Sequence, residues 1–266
     1  MRQISKFFSG FAPLESASPR FCKQRLLSIC ITLAVSAATT TQVLASASGS
    51  NANEVVYSTP VATDERRLLW GDTHLHSNVS ADAFTLGSRL GPDQAYRFAM
   101  GLPVTNELGQ TARLHAPLDF LAVTDHAEYH GVFPLLEKRD SQLDGWPLGQ
   151  QMADLLQDGK NIELAKLFSD AIQSTEPALR TPKPLVESAW HSSIKAADAA
   201  YTPGVFTTLI GYEWTSMVTG DNLHRVVLFR DSWDRTRQVI PFSAQDSTDP
   251  EALWSALADY EITTGG

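Results

Sequence analysis

Cysteine is almost missing from this 266-residue chain, which has two, Cys22 and Cys30. Both fall in a leading segment where Arg20, Lys23 and Arg25 precede the apolar run LLSICITLAVSAA and then the small-residue stretch VLASASGS. That basic, apolar, small-residue order marks a secretory signal, with cleavage expected after Ala45 or Ala47. The exported part would then carry no cysteine, which excludes disulfides and thiolate metal sites. Long apolar runs are missing too: the leading run is interrupted by Ser28, Thr32 and Ser36 and falls short of the ~20 residues that a spanning helix needs. No stable membrane anchor is expected, and the expected location is the periplasm or the exterior. The chain divides into a signal peptide (1–47), a small, polar linker (48–66) and one domain (67–266).

Positive charge is also scarce, with 21 Lys and Arg against 30 Asp and Glu and a net charge of −9. Residues 1–47 hold five of the basic residues and one acidic residue, so the remainder stands at −13. Such a surface repels nucleic acid. It does not exclude an anionic small molecule, because bound cations invert the field inside a site. Dinucleotide-binding and Walker glycine motifs are absent, as is the Gly-x-Ser-x-Gly nucleophile elbow.

What is present is a series of apolar segments that read as buried strands: 67–74, 118–125, 205–212 and 224–229. They are near-continuously apolar, as parallel strands covered on both faces tend to be. Between them lie helical patterns. GPDQAYRFAMG has Pro92 at its start and Gly101 after it, 147–173 offers two short helices around DGKN, and 184–201 has an apolar face at helical spacing. From 247, Asp249 reads as an N-cap with Pro250 at the first helical position. The order predicts an α/β fold. The insert 127–204, between the second and third strands, is expected to shape the mouth of any site.

The chain has seven histidines, few enough to weigh singly. His74 and His76 end the first strand, in LLWGDTHLHSNVSAD, behind the lead-in Leu68, Leu69 and Trp70. Residues two apart on a strand share a face, so Asp72, His74 and His76 are expected to point one way, and Asp82 is placed to return a carboxylate to the same mouth. A surface pair at a strand end is the bland alternative; the buried lead-in and Asp72 argue against it. His126 closes the second strand in FLAVTDH. Asp125 before it points to the opposite face, suited to fixing backbone or orienting a ligand; alone, such a pair would read as a cap. Glu213 follows an apolar strand, where a carboxylate is costly unless paired or bound to a cation. His224 opens the next run and alone would read as a core histidine. His115, His130 and His191 read as structural or solvated. The pair His126 and His130 has ligand spacing on a helix, but HAEYH lacks the glutamate of the helical metalloprotease signature. Arg225 reads as a structural salt-bridge partner.

Taken in order, DTHLHS with SAD, AVTDH, IGYEW and NLHRVVLF resemble the polymerase and histidinol phosphatase (PHP) superfamily of metal-dependent hydrolases. The closest resemblance within it, over 67–260, is to the exported PHP-like family DUF3604. The resemblance implies a distorted seven-stranded TIM-like βα barrel with two or three divalent ions, zinc, manganese or iron, at the carboxyl ends of its strands. His74 and His76 would be the first ligand pair, Asp82 and His126 part of a separate position, Glu213 the bridging carboxylate and His224 its partner on the second ion. Glu213 and Asp125 are the candidate catalytic carboxylates. Later motifs of the family would lie beyond Gly266, so the chain is expected to be a C-terminally truncated piece carrying about four strands. The implied activity is hydrolysis of a small molecule, with a phosphoester the first choice. An amidohydrolase would need a metal-bridging lysine on a middle strand, and none is placed there. A non-catalytic metal-binding module is the remaining alternative.

Overall fold

A computed structural model describes residues 67–172, 174 and 176–266; the signal and linker expected over 1–66 lie outside the described residues. Four strands form one sheet: β1 (Gly71–Leu75), β4 (Phe120–Val123), β5 (Thr207–Ser216) and β6 (Leu223–Phe229), in the order β1-β4-β5-β6. Between the first two lie α1 (Ala81–Thr85), α2 (Pro92–Ala99) and a small hairpin, β2 (Val104–Thr105) with β3 (Thr111–Ala112), that the sequence pattern does not announce. The insert after β4 holds α3 (Val132–Lys138), α4 (Pro147–Gln157), α5 (Asn161–Ala171) and α6 (Lys183–Ala200). After β6 come α7 (Trp233–Thr236) and α8 (Pro250–Thr264).

The sheet is mixed and curled like half of a barrel. β1 pairs parallel with β4, and β4 parallel with β5, each after a long helical crossover. The expectation of parallel strands throughout fails at β6, which pairs antiparallel with β5. Only residues 217–222 connect the two, and a parallel return needs a crossover of about a dozen residues or more.

The expected burial also holds unevenly. β4, central in the sheet, is buried over Leu121, Ala122 and Val123, as is most of β5. The lead-in is not buried: Leu68, Leu69 and Trp70 are 70, 53 and 67% exposed. These residues run up to an edge strand paired only with β4, and among the described residues no layer covers them. Asp119 ties this entry down, accepting from Trp70 N (2.8 Å) and Arg67 (2.6 Å).

Apolar side chains sort into two groups. One packs the sheet against α2, α6 and α8 through Leu121, Tyr96, Trp190, Ile194, Phe206 and Leu253. The other joins α1 to the insert through Phe84, Phe133, Leu136, Met152 and Leu164. The helix signals act as expected. Gly91 N donates to Gln94 Oε1 beside Pro92, and Asp249 accepts from Glu251 N to cap α8.

Gly131 makes the turn from the end of the β4 motif into α3. Its φ is +75°, and a Cβ there would lie 2.3 Å from Ala189 Cβ on α6. The left-handed conformation costs roughly 1–2 kcal/mol for a residue with a Cβ, and overpacking roughly 1–3 kcal/mol more. Gly131→Ala should therefore destabilise the domain by about 2–4 kcal/mol in denaturant titration, whereas a change under ~0.5 kcal/mol would mean that α6 yields freely.

Candidate metal centre

The centre grows from the register of two adjacent strands. Beyond the end of β4, His126 and Glu213 face each other in a parallel bridge. Ala127 N donates to the Glu213 carbonyl (2.8 Å), and Glu213 N donates to the Asp125 carbonyl (3.0 Å). β1 delivers the other pair differently from simple alternation. Its register with β4 shifts between Asp72 and Leu75, and Asp72 Oδ1 accepts from His74 N (2.9 Å) rather than joining the histidines. His76 lies one residue past the strand, and an irregularity of this kind re-aims neighbouring side chains.

Glu213, 1% exposed, is the hub. Its Oε1 lies 3.2 Å from His74 Nε2 and 3.1 Å from His224 Nδ1. Its Oε2 lies 2.9 Å from His76 Nε2 and 3.3 Å from His126 Nδ1. Asp82 stands at the side, with Oδ2 2.8 Å from His76 Nδ1 and 3.7 Å from His126 Nε2. Three overlapping sets could hold a metal ion: His74, His76 and Glu213; His76, Asp82 and His126; His126, Glu213 and His224. All six metal ligands expected from the sequence are thus brought together.

The donor chemistry fits divalent ions. His76 Nε2 and Glu213 Oε2 are sealed from solvent, and neither has a hydrogen-bond partner despite their 2.9 Å separation. Ligands about 2.0–2.2 Å from one ion stand roughly 2.8–3.6 Å from each other in octahedral or tetrahedral coordination, and the contacts around Glu213, 2.9 to 3.3 Å, fall in that range. Imidazole and carboxylate without thiolate suit zinc, manganese or iron.

Charge is concentrated to match. Burial opposes a charged His76 ring, yet the Asp82 and Glu213 carboxylates push it up to about 10. Burial would raise Glu213, but the surrounding rings, His76 first, hold it down to about 2. Asp82 is held below the usual carboxylate range, its burial outweighed by His126 and His76. Burial lowers His224, against the pull of Glu213.

Asp125 is buried and holds the backbone behind His76, accepting from Ser77 N (2.5 Å) and Ser77 Oγ (2.7 Å). Burial pushes it up to about 6. Ser80 Oγ accepts from His126 N (2.8 Å). Arg225 donates to the His224 carbonyl (2.7 Å), and the salt bridge expected for it is not found among the described residues. The insert does not line the cleft beside the histidines, an opening of about 330 Å³ bounded by His74, His76, Asp82, Ala83 and Leu86. α1 forms that wall, and the insert buries its apolar faces behind it, with Phe84 and Phe133 ring centres 5.7 Å apart.

Two residues of the cluster escape the sequence reading. The Thr215 hydroxyl lies between His126 Nδ1 (2.8 Å) and His224 Nδ1 (3.0 Å), and the buried Glu128 carboxylate approaches His126 Nδ1 to 3.9 Å. Alternation along β5 was a usable signal for Thr215, two residues beyond Glu213 on the same face.

Over residues 63–266 the chain matches the family described as "Protein of unknown function (DUF3604)". The chain belongs to the DUF3604 family. No curated protein and no solved structure matches it.

In this DUF3604 chain His130 supports the centre from below. Its Nδ1–H donates to the His126 carbonyl (3.0 Å), and its ring packs edge-on against Trp190. Burial lowers it to about 4 from 6.5. The folded state thus refuses a proton that the unfolded chain takes up, so stability is complete above pH 6.5 and falls as pH drops through 4. Asn keeps a donor without the titration. Relative to His130→Asn, the wild type should lose about 3 kcal/mol between those pH values. Urea unfolding at several pH values measures this, and parallel curves for the two proteins would show that His130 is charged when folded.

Proposed function

We propose that this protein is an exported metal-dependent hydrolase whose preferred substrates are small phosphoesters. The observation that carries the reading is one buried carboxylate, Glu213, with four imidazole nitrogens within 3.3 Å of its oxygens. The likeness of its motifs to those of the PHP superfamily, and hence to a larger TIM-like barrel, supports the same reading, as does the basic, apolar and small-residue order of residues 1–47 for export. Among the described residues no helix is long and apolar enough to cross a membrane.

Two or three divalent ions bound here would supply Lewis acidity and acidify water. The chain's own residues do the placing. His74 and His76 would hold one ion from β1, Glu213 would bridge and set the separation between two, His224 would complete the second, and Asp82 with His126 would hold a further one. Asp125 keeps the His76 backbone fixed through Ser77. The half-exposed rings of His74 and His224 leave one side of the cluster open to substrate. An amidohydrolase would use a bridging lysine, and among the described residues no lysine lies in the cluster. A metal-binding module without turnover would use the same ligands.

Elemental analysis of the purified chain should find at least two transition-metal ions. Glu213→Gln should remove most of them and reduce p-nitrophenyl phosphate hydrolysis by at least ~100-fold, since a bridging ligand matters more than the outer partners whose loss costs 10–100-fold. Chelation should abolish turnover, and manganese or zinc should restore it. Metal retained without hydrolysis across a phosphoester panel would favour the non-catalytic module.

A further inference from the structure

Glu128 lies beside the candidate ligands without belonging to any of the three sets. It is 1% exposed, and a buried carboxylate is costly unless its oxygens are satisfied. One oxygen is: Oε1 accepts from Thr215 N (3.2 Å) on β5 and from Ala244 N (2.8 Å) in the segment between α7 and α8. The other is not. Oε2 is sealed from solvent without a hydrogen-bond partner, 3.9 Å from His126 Nδ1.

The surroundings of that nitrogen fix its proton. Three oxygens lie near His126 Nδ1: Thr215 Oγ1 at 2.8 Å, Glu213 Oε2 at 3.3 Å and Glu128 Oε2 at 3.9 Å. Ionised carboxylate oxygens only accept, and a hydroxyl can do so. A nitrogen facing acceptors on this side is best placed as N–H, and a neutral imidazole then carries its lone pair on the other nitrogen. That nitrogen, Nε2, faces Asp82 Oδ2 at 3.7 Å, too far for a hydrogen bond and within about 0.1 Å of the widest spacing of two ligands on one tetrahedral ion.

We propose that Glu128 and Thr215 are positioning residues that hold His126 as its Nδ1–H tautomer, so that His126 binds through Nε2 the ion it shares with Asp82 rather than the ion of Glu213 and His224. The assignment chooses between two of the three possible ligand sets. It gives the buried Glu128 oxygen a function, that of an acceptor facing the Nδ1–H at alkaline pH, where the carboxyl that burial pushes up to about 7 is ionised. Outer partners of this type orient a ligand ring and raise its basicity. The part concerning the ion rests on the metal-site reading above; the tautomer does not.

The test uses the full chain with ¹⁵N-labelled histidine. Long-range ¹H–¹⁵N spectra of the metal-free protein at alkaline pH should show His126 protonated at Nδ1. Glu128→Gln keeps an acceptor for the two backbone N–H groups but can turn its amide nitrogen toward His126. It should shift the ring toward the Nε2–H form. Manganese titration of the same variant should show one site weakened 10–100-fold, with the remaining sites unchanged. Thr215→Val, which keeps shape and removes the hydroxyl, should act in the same direction and decides the matter if Glu128→Gln does not fold. An Nε2–H ring in the wild type, or a tautomer unmoved in the folded variants, overturns the proposal. A wild type with the Nδ1–H ring that binds no manganese would leave the positioning pair standing and refute the metal-site reading.

Discussion

The negative charge of Glu213 is the constraint on which the centre depends. A carboxylate on a buried strand cannot stay ionised unless positive or hydrogen-donating groups surround it, and among the described residues no lysine or arginine pairs with Glu213. Four histidines occupy that space instead, from β1, the end of β4 and β6. Protons on rings such as His76 can balance the carboxylate without metal, and divalent ions can take their place. Any metal binding at this cluster would therefore be linked to proton occupancy, because each ligand nitrogen must be free of its proton to bind.

The remaining architecture holds these rings still. β4 and β5 lie in register so that His126 meets Glu213, and the backbone exchanges hydrogen bonds on both sides of that contact. Buried side chains fasten the neighbouring turns: Asp125 to Ser77, Ser80 to His126, and His130 to the His126 carbonyl. The bonds to Asp125 are buried and the other two part-buried, and in such a low-dielectric setting hydrogen bonds are stronger than in water. The helical insert acts at one remove, buttressing α1 and through it the wall that carries Asp82.

Much of this was legible in the sequence for reasons that are themselves local. Caps and breakers such as Asp249 with Pro250, or Gly101, act through neighbouring backbone, so the helices fall close to where they are expected. The candidate ligands stood out because histidines and a carboxylate at the ends of apolar runs are poorly explained by packing. What escaped depended on the rest of the sheet. Leu68, Leu69 and Trp70 look like core residues until β1 is seen to be an edge, and the direction of β6 follows from the length of its connection rather than from its composition. Glu128 was hidden in DHAEYH because its partners, Thr215 and Ala244, lie 87 and 116 residues away along the chain.

The most direct measurement of whether Glu213 is the hub of a metal centre is anomalous diffraction from crystals of the chain grown with manganese. Peaks are expected about 2.0–2.3 Å from both Glu213 oxygens, with His76 Nε2 bound to the same ion as one of them. A structure with no anomalous peak, in which protonated His76 donates directly to Glu213 through Nε2, would contradict the metal centre and leave a buried histidine–glutamate ion-pair network in its place.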